Sequence, residues 1–251
     1  LISIQKKLFF IDLIDVFLAE EYNPKLSKKR LIIHHYSRVP GDNLFGEITY
    51  QLSLEKDEAE LLEGMSKMNR YMLRRANKEP YEVVVKHNPT DGDLIEFQNF
   101  YNKFVQTKNT HKVNRYRLNR LKRLRDKGVV VFTKLQNTNA VALCYRIYII
   151  DSDVVLNVYA CSATWIKEQP DLKQQIRFAN RYLLWQNMKL FKSRGFKIYD
   201  YGGITDINEI NKFKEDFGFI GVEVYHGFDT ESIIGKILVK LHWRKNIYLF
   251  S

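Results

Sequence analysis

IYDYGGITDINEINKFKEDFGF, residues 198–219, reads as a strand, a glycine turn and a short helix in succession. The apolar run 196–199 ends at Asp200-Tyr201 and then at Gly202-Gly203. A polar segment of helical character follows. It carries Phe213-Lys214 and closes at Phe217-Gly218. A strand stops at a glycine pair where the backbone turns sharply or where a ligand approaches it closely.

Outward from this stretch, the preceding sequence supplies a sheet. Residues 129–135, 140–150 and 154–160 are three strand-like runs joined by "QNTN" and "DSD". Connectors this short exclude parallel crossovers and predict antiparallel hairpins. Residues 171–193 form a long helix closed by Gly195, and a strand over 220–228 follows the decisive stretch. Upstream lie a strand in "YEVVVKHN", a helix opened at residues 89–93 and running through Val105, and the basic helix "NRYRLNRLKRLRDK" over 114–127. Its Leu118, Leu121 and Leu124 form a buried stripe that leaves Arg117, Arg120 and Arg123 facing outward. Nearer the start, residues 1–22 read as a strand and a short helix, and 23–29 as a loop. "RLIIHHYSRV" and "GEITYQLSL" read as a hairpin about Pro40-Gly41-Asp42-Asn43, and 57–78 as one helix with acids early and bases late. The C-terminal "IIGKILVKLHWRKNIYLF" alternates apolar and basic residues, and reads as a core-packing helix with a membrane-surface role as the alternative.

Composition narrows the function classes. The chain has 251 residues, 45% hydrophobic, enough for a substantial core in one large or two small domains. Its formal net charge of +11 favours anionic partners such as coenzyme A, tRNA, nucleotide-linked sugars or an anionic membrane surface. No metal-ligand spacing occurs, and the six histidines pair with no Ser or Cys motif. Cys144 and Cys161, both in apolar strands, read as free buried thiols of a reducing compartment. No run of eighteen apolar residues is present. Asp12 and Asp15 interrupt the apolar start, unlike a signal peptide. The expectation is a cytoplasmic protein, with the inner membrane surface as a place of peripheral contact.

The Asp200-x-Gly202-Gly203 strand end followed by Phe213-Lys214-x-x-Phe217-Gly218 resembles the Fem-type (FemAB/FemX-like) branch of the GCN5-related N-acyltransferase superfamily. A second stretch, 48–78, resembles the same family: a short strand, an acidic helix start and a basic face at Arg70, Arg74 and Arg75. The resemblance covers roughly residues 45–230. It implies an α/β fold with a mixed, mainly antiparallel sheet flanked by helices. Fem-type proteins carry two such lobes, so the expectation is a reduced N-terminal lobe over 1–80 and a complete lobe over 81–251.

The resemblance also implies chemistry. Lys214 would stabilise the oxyanion of an acyl transfer or a donor phosphate. The alternative is a solvated lysine beside Lys212. Asp200 would act as base toward the amine, and Tyr201 as proton donor to the leaving group. The alternative for Asp200 is a cap on the following turn. The binding group would comprise Arg70, Arg115, Tyr116, Asn157, Tyr159, Ser162, Gly202, Gly203 and Phe213. Asn157, Tyr159 and Ser162 are expected on one strand face by period two, with a break near Cys161. The implied reaction is direct transfer from an acyl-CoA to a primary amine of an amino sugar or cell-envelope precursor, without a metal. An aminoacyl-tRNA donor acting on a peptidoglycan precursor is the alternative, and a non-catalytic basic binding module the third reading. One departure bears on the donor. The glycine-rich loop of coenzyme A-using relatives is absent from "ACSATWIKEQPDLKQQ". Pro170 and Asp171 also argue against a tight anion cradle there.

Overall fold

A computed structural model of the chain describes residues 1–8, 10–22, 29–108, 111–166 and 170–244. Two compact units divide it: Leu1–Thr49 with Gly221–Ser251, and Tyr50–Ile220. The division differs from the expected boundary at residue 80. Residues 50–80 belong to the second unit, and the C-terminal strand returns to the first.

In the first unit, β1 (Ile2–Leu8) and β2 (Ile11–Phe17) pair antiparallel. The expected short helix near the start is therefore a strand. Its "IDLIDVF" alternates buried and half-buried positions, the period of a pleated chain with one covered face. β3 (Arg30–Ser37) pairs parallel with β2 and antiparallel with β10 (Ile220–Asp229). The strand order is β1-β2-β3-β10-β4, where β4 spans Leu44–Ser53. The expected hairpin of β3 and β4 is thus not formed, because β10 lies between them. Residues 23–28, expected as a loop, fall outside the described residues. Helix α7 (Ile233–Arg244) lays Leu238 and Val239 on a cluster of Ile11, Leu13, Leu31 and Ile33, the packing role read from its sequence.

The second unit follows the sequence reading closely. β6 (Val130–Gln136), β7 (Ala142–Asp151) and β8 (Val154–Ser162) are consecutive antiparallel strands. Ser152 takes φ +44° in the β7–β8 turn, the left-handed conformation that tight hairpins require. β5 (Glu82–Lys86) pairs antiparallel with β6, and β9 (Ile198–Gly203) parallel with β8. The order is β4-β9-β8-β7-β6-β5. The expected helix over 57–78 is two helices, α1 (Glu58–Glu63) and α2 (Lys67–Ala76). Asp57 caps α1 in a capping box, and Ser66 starts a new helix by accepting from the Asn69 N–H. α3 (Asp91–Val105), α4 (Arg115–Asp126), α5 (Pro170–Ser193) and α6 (Asn208–Glu215) complete the unit.

Helices cover both sheet faces. Tyr148 of β7 meets Phe191 of α5 with ring centroids 4.8 Å apart, whereas Tyr145 meets Phe100 of α3 at 4.5 Å. Residues three apart on a strand point to opposite faces, so α5 and α3 flank the sheet from either side. α4 packs on α3 and β6. It buries Arg117 and Arg120 along with its leucines, contrary to the expected outward arginines. The long aliphatic stems extend the Leu stripe, and the Arg117 guanidinium donates to the Lys112 carbonyl. No described helix is long and apolar enough to cross a membrane. Among the described residues no group of three His, Cys, Asp or Glu is placed to hold a metal ion.

Candidate active site

The candidate site forms where β8 and β9 cease to pair. Their register runs Val154↔Ile198, Val155↔Tyr199 and Leu156↔Asp200, and no later residues of the two strands pair. Just beyond, β8 is irregular: Ile147 faces Tyr159 but Tyr148 faces Asn157, so Val158 is an extra residue. Such a bulge bends its strand and redirects the side chains beyond it. Asn157 Nδ2 remains 3.5 Å from the Tyr201 carbonyl oxygen across the opening.

Glycine closes β9. Gly202 takes φ +95°, which a side chain would disfavour. Its N–H donates to Asp200 Oδ1 at 2.8 Å, and Gln51 Nε2 donates to Asp200 Oδ2 at 2.9 Å. Asp200 is fully buried and caps the turn, the structural alternative weighed for it. Strand alternation places Asp200 on one face with Gln51, and Tyr201 on the other with Tyr50 and Lys214. The two residues expected to act side by side are thus back to back.

Helix α6 returns Lys214 to this turn. Asn211 pins the start of the segment by donating to the Thr205 carbonyl at 2.7 Å. At the far end, the Asp216 carbonyl accepts from the Ser66 N–H and from Asn69 Nδ2. Phe217 is wholly buried, and its ring lies 5.0 Å from that of Phe213. Between them, Lys214 is only 2% exposed, not solvated like Lys212. Its ammonium donates to the carbonyls of Gly202, at 3.3 Å, and Gly203. It also sits 4.8 Å from the centre of the Tyr50 ring and 5.4 Å from that of Tyr201. Burial pushes its pKa down to about 8, against the opposing field of the Asp200 carboxylate.

Sequence reasoning missed the deepest member. Arg146 of β7 has no exposed surface. Its guanidinium donates to Asn180 Oδ1 at 2.7 Å, to the Tyr201 hydroxyl at 3.2 Å and to Asn157 Oδ1 at 3.3 Å. It also stacks 5.0 Å over the Tyr201 ring. A lone arginine within "ALCYRIYII" was the available signal. A buried charge in an apolar strand is rare unless it is held for a purpose. Arg181 was missed as well. Its Nε donates to Asn69 Oδ1 at 2.9 Å, and its guanidinium covers the Phe213 ring at 5.2 Å.

Of the expected site residues, the structure gathers Asn157, Tyr201, Gly202, Gly203, Phe213 and Lys214. Asp200 reaches the same turn from the opposite strand face, through the Gly202 N–H, and the remaining residues are not gathered. Tyr159 points to the opposite face from Asn157, because the extra residue at Val158 breaks the period of two. There it packs against Phe97 and Tyr101, with ring centroids 5.5 and 5.2 Å away. Ser162 shares the Asn157 face but pairs with Cys144, well past the opening. Arg115, exposed, and Tyr116, half-buried, lie in the first turn of α4 on the α3 side of the sheet. Arg70 donates to the carbonyls of Leu62, Glu63 and Met65, closing the end of α1. A depression at the foot of α4, lined by Asn88, Pro89, Thr90, Arg125, Asp126 and Gly128, holds none of these groups.

Solved structures share this architecture. FemX aligns with a TM-score of 0.58 at 14% identity, over 77% of this chain and 63% of its own. The C-terminal domain of a putative lysylphosphatidylglycerol synthetase from Agrobacterium fabrum aligns at 0.54 and 9% identity, over 96% of this chain and 84% of that one. L-PGS from Bacillus licheniformis aligns at 0.50 and 10% identity, over 85% and 73%. The chain thus spans 63% of the length of FemX. No protein-family model matches the sequence, and no curated protein does. Identities this low establish the fold: a GCN5-related acyltransferase-like, mainly antiparallel sheet flanked by helices.

Proposed function

We propose that this chain is an N-acyltransferase that moves an acyl group from a thioester donor, acyl-CoA, to a primary amine of an amino sugar or cell-envelope precursor. The observation that carries the reading is the buried Lys214 ammonium beside the carbonyl end of β9, where the strand parts from its neighbour. A fixed cation in a water-poor setting stabilises the oxyanion that forms when an amine attacks a carbonyl. The nitrogen–carbon bond forms as the amine gives up a proton, the carbon–sulfur bond breaks, and the thiolate leaves with a proton passed through the Tyr201 hydroxyl, which the amine's proton restores.

Tyr201 is the supported donor of that proton. Its oxygen accepts from Arg146, so its own O–H is free to point elsewhere. Asp200, with both oxygens engaged by Gln51 and Gly202, acts on this reading through its field on Lys214 rather than as the base. On this reading transfer is direct, without a covalent enzyme intermediate, and the burial that raises both thiols, Cys144 to about 12, disfavours a cysteine nucleophile.

The second reading, an aminoacyl-tRNA donor, draws support from the fold shared with FemX and with two structures named as lysylphosphatidylglycerol synthetase or L-PGS. The sequence's lack of a glycine-rich loop before α5 also weighs toward it. The deciding experiment incubates the protein with an acyl-CoA series or charged tRNA, each against amino sugars and peptidoglycan precursors, and follows products by mass spectrometry. Acyl-CoA-dependent amide formation supports the first reading. Turnover with charged tRNA alone replaces it with the second, and no product from any pair leaves the binding-module reading.

A further inference from the structure

Three cations meet around the Tyr201 and Phe213 rings, and aromatic or neutral groups stand where carboxylates would be expected. Arg146 is held by two asparagine oxygens and a phenol, Arg181 by an asparagine oxygen and the Phe213 face, Lys214 by two backbone carbonyls and two rings. Among the described residues no carboxylate forms an ion pair with Arg146, Arg181 or Lys214. Two acids act on them through space, Asp200 on Lys214 and Asp216 on Arg181. Arg146 Nε is buried and has no hydrogen-bond partner. A buried guanidinium normally brings its counter-charge with it, because desolvating a cation alone is strongly unfavourable. Here protein groups occupy part of the donor set, and among the described residues no carboxylate pairs directly with the three cations.

We propose that Arg146, Arg181 and Lys214 form an oxyanion-binding site that takes a phosphate or carboxylate group of the substrate. The assignment of that group to a donor or acceptor rests on the transfer reading; the binding itself does not. Arginine suits the task because its planar donors match oxyanion geometry and remain charged at any working pH. The tyrosine and phenylalanine faces hold the cations in place without neutralising them. An anion seated here would complete the charge balance and fix the substrate against Lys214.

The test uses inorganic phosphate, pyrophosphate and acetate, each at ionic strength matched with chloride. A ligand that binds only the folded chain raises its melting temperature by mass action. Wild type is expected to melt higher in at least one of the three oxyanions than in chloride, with saturable calorimetric binding. Arg181→Met, at a half-buried position, should weaken that binding about tenfold or more, and Lys212→Ala should leave it unchanged. Arg146 is followed without mutation: in 15N-arginine-labelled protein its protected Nε–H signal should move with the titration. Phosphate-only, acetate-only or shared responses identify the oxyanion source. No response beyond chloride, or equal responses in wild type and Arg181→Met with a static Arg146 signal, overturns the site. Binding without transfer in any donor–acceptor pair would keep the oxyanion site and remove the transferase reading; transfer without oxyanion binding would do the reverse.

Discussion

Lys214 on α6 donates to the carbonyl oxygen of Gly202 at the end of β9, 3.3 Å away and almost out of reach of solvent. Twelve residues apart in sequence, the two link the helix to the strand end that it faces. The contact orders the ammonium without neutralising it, since a backbone carbonyl carries only a partial charge. Lys214→Ala is therefore expected to lower kcat by about 10²-fold or more with the fold intact. Lys214→Arg should recover part of this, its wider planar head missing the same point. Lys212→Ala, on the exposed side of the same helix, should behave as wild type. Steady-state kinetics on the three variants, with matched melting curves, decide it. Full activity in Lys214→Ala would remove the lysine from the chemistry.

The depressed pKa of Lys214 sets a pH limit. Near neutrality the group is mostly protonated, and it loses its charge as pH rises through about 8. If the cation stabilises the oxyanion, kcat should fall on the alkaline side of about pH 8. In Lys214→Arg the residual activity should show no such limb, because arginine stays charged. A limb that persists unchanged in Lys214→Arg belongs to another group.

Burying this ammonium has a consequence for stability. The folded pKa of about 8 lies below the 10.5 of a free lysine, so between them the unfolded chain binds more protons. Stability from this group therefore rises with pH from about 8 to above 10.5. At pH 7 it is a penalty of about 3 kcal/mol, since each tenfold loss of proton affinity on folding costs about 1.4 kcal/mol. Lys214→Met should unfold at higher urea than wild type at pH 7, and the difference should shrink by pH 10. A difference that is constant across this range would show that burial of the charge carries no such cost.

The legible and illegible parts of the site divide on physical lines. Hairpins joined by only a few residues are local events, so β6, β7 and β8 follow from the sequence alone. The Phe213-Lys214 pair was legible because a helix end and a glycine turn are also local. The return of β10 between β3 and β4 is a pairing across nearly two hundred residues, and no turn signal encodes it. The extra residue at Val158 was equally hidden, and it sent Tyr159 to the far face while leaving Asn157 with Arg146. Arg117 and Arg120 were misplaced because amphipathic stems let an arginine join a leucine stripe. Arg146 was visible in the sequence, as the one charge within the apolar run 142–150, and only packing revealed that neutral partners hold it.

The two cysteines offer a test of the sheet register. Cys144 pairs with Ser162 and Cys161 with Tyr145, so adjacent positions on β7 put the two thiols on opposite faces. Both are buried and free, and desolvation holds their acidity far below that of an exposed thiol. Native protein should react with a disulfide reagent only as fast as it opens, and unfolded protein should yield two thiols at once. Air oxidation should form no intramolecular bridge in the native state. Rapid native labelling or a native bridge would contradict the register.

Arg70 separates a structural role from a binding role. The sequence resemblance assigns it to ligand binding, whereas its guanidinium spans the carbonyls of Leu62, Glu63 and Met65 at the junction of α1 and α2. Those carbonyls lie at the end of a helix, where no later turn supplies their N–H partners. A charge-assisted bond there contributes about 1.5–3 kcal/mol, reduced because the site is half-exposed. Arg70→Ala is expected to lower stability by about 1 kcal/mol, read as a shift in the urea midpoint with unchanged slope. Donor affinity, measured by calorimetry well below the melting temperature, should not change. The opposite result, intact stability with affinity down tenfold or more, would return Arg70 to the binding surface and show that its helix-closing bonds give way to a ligand.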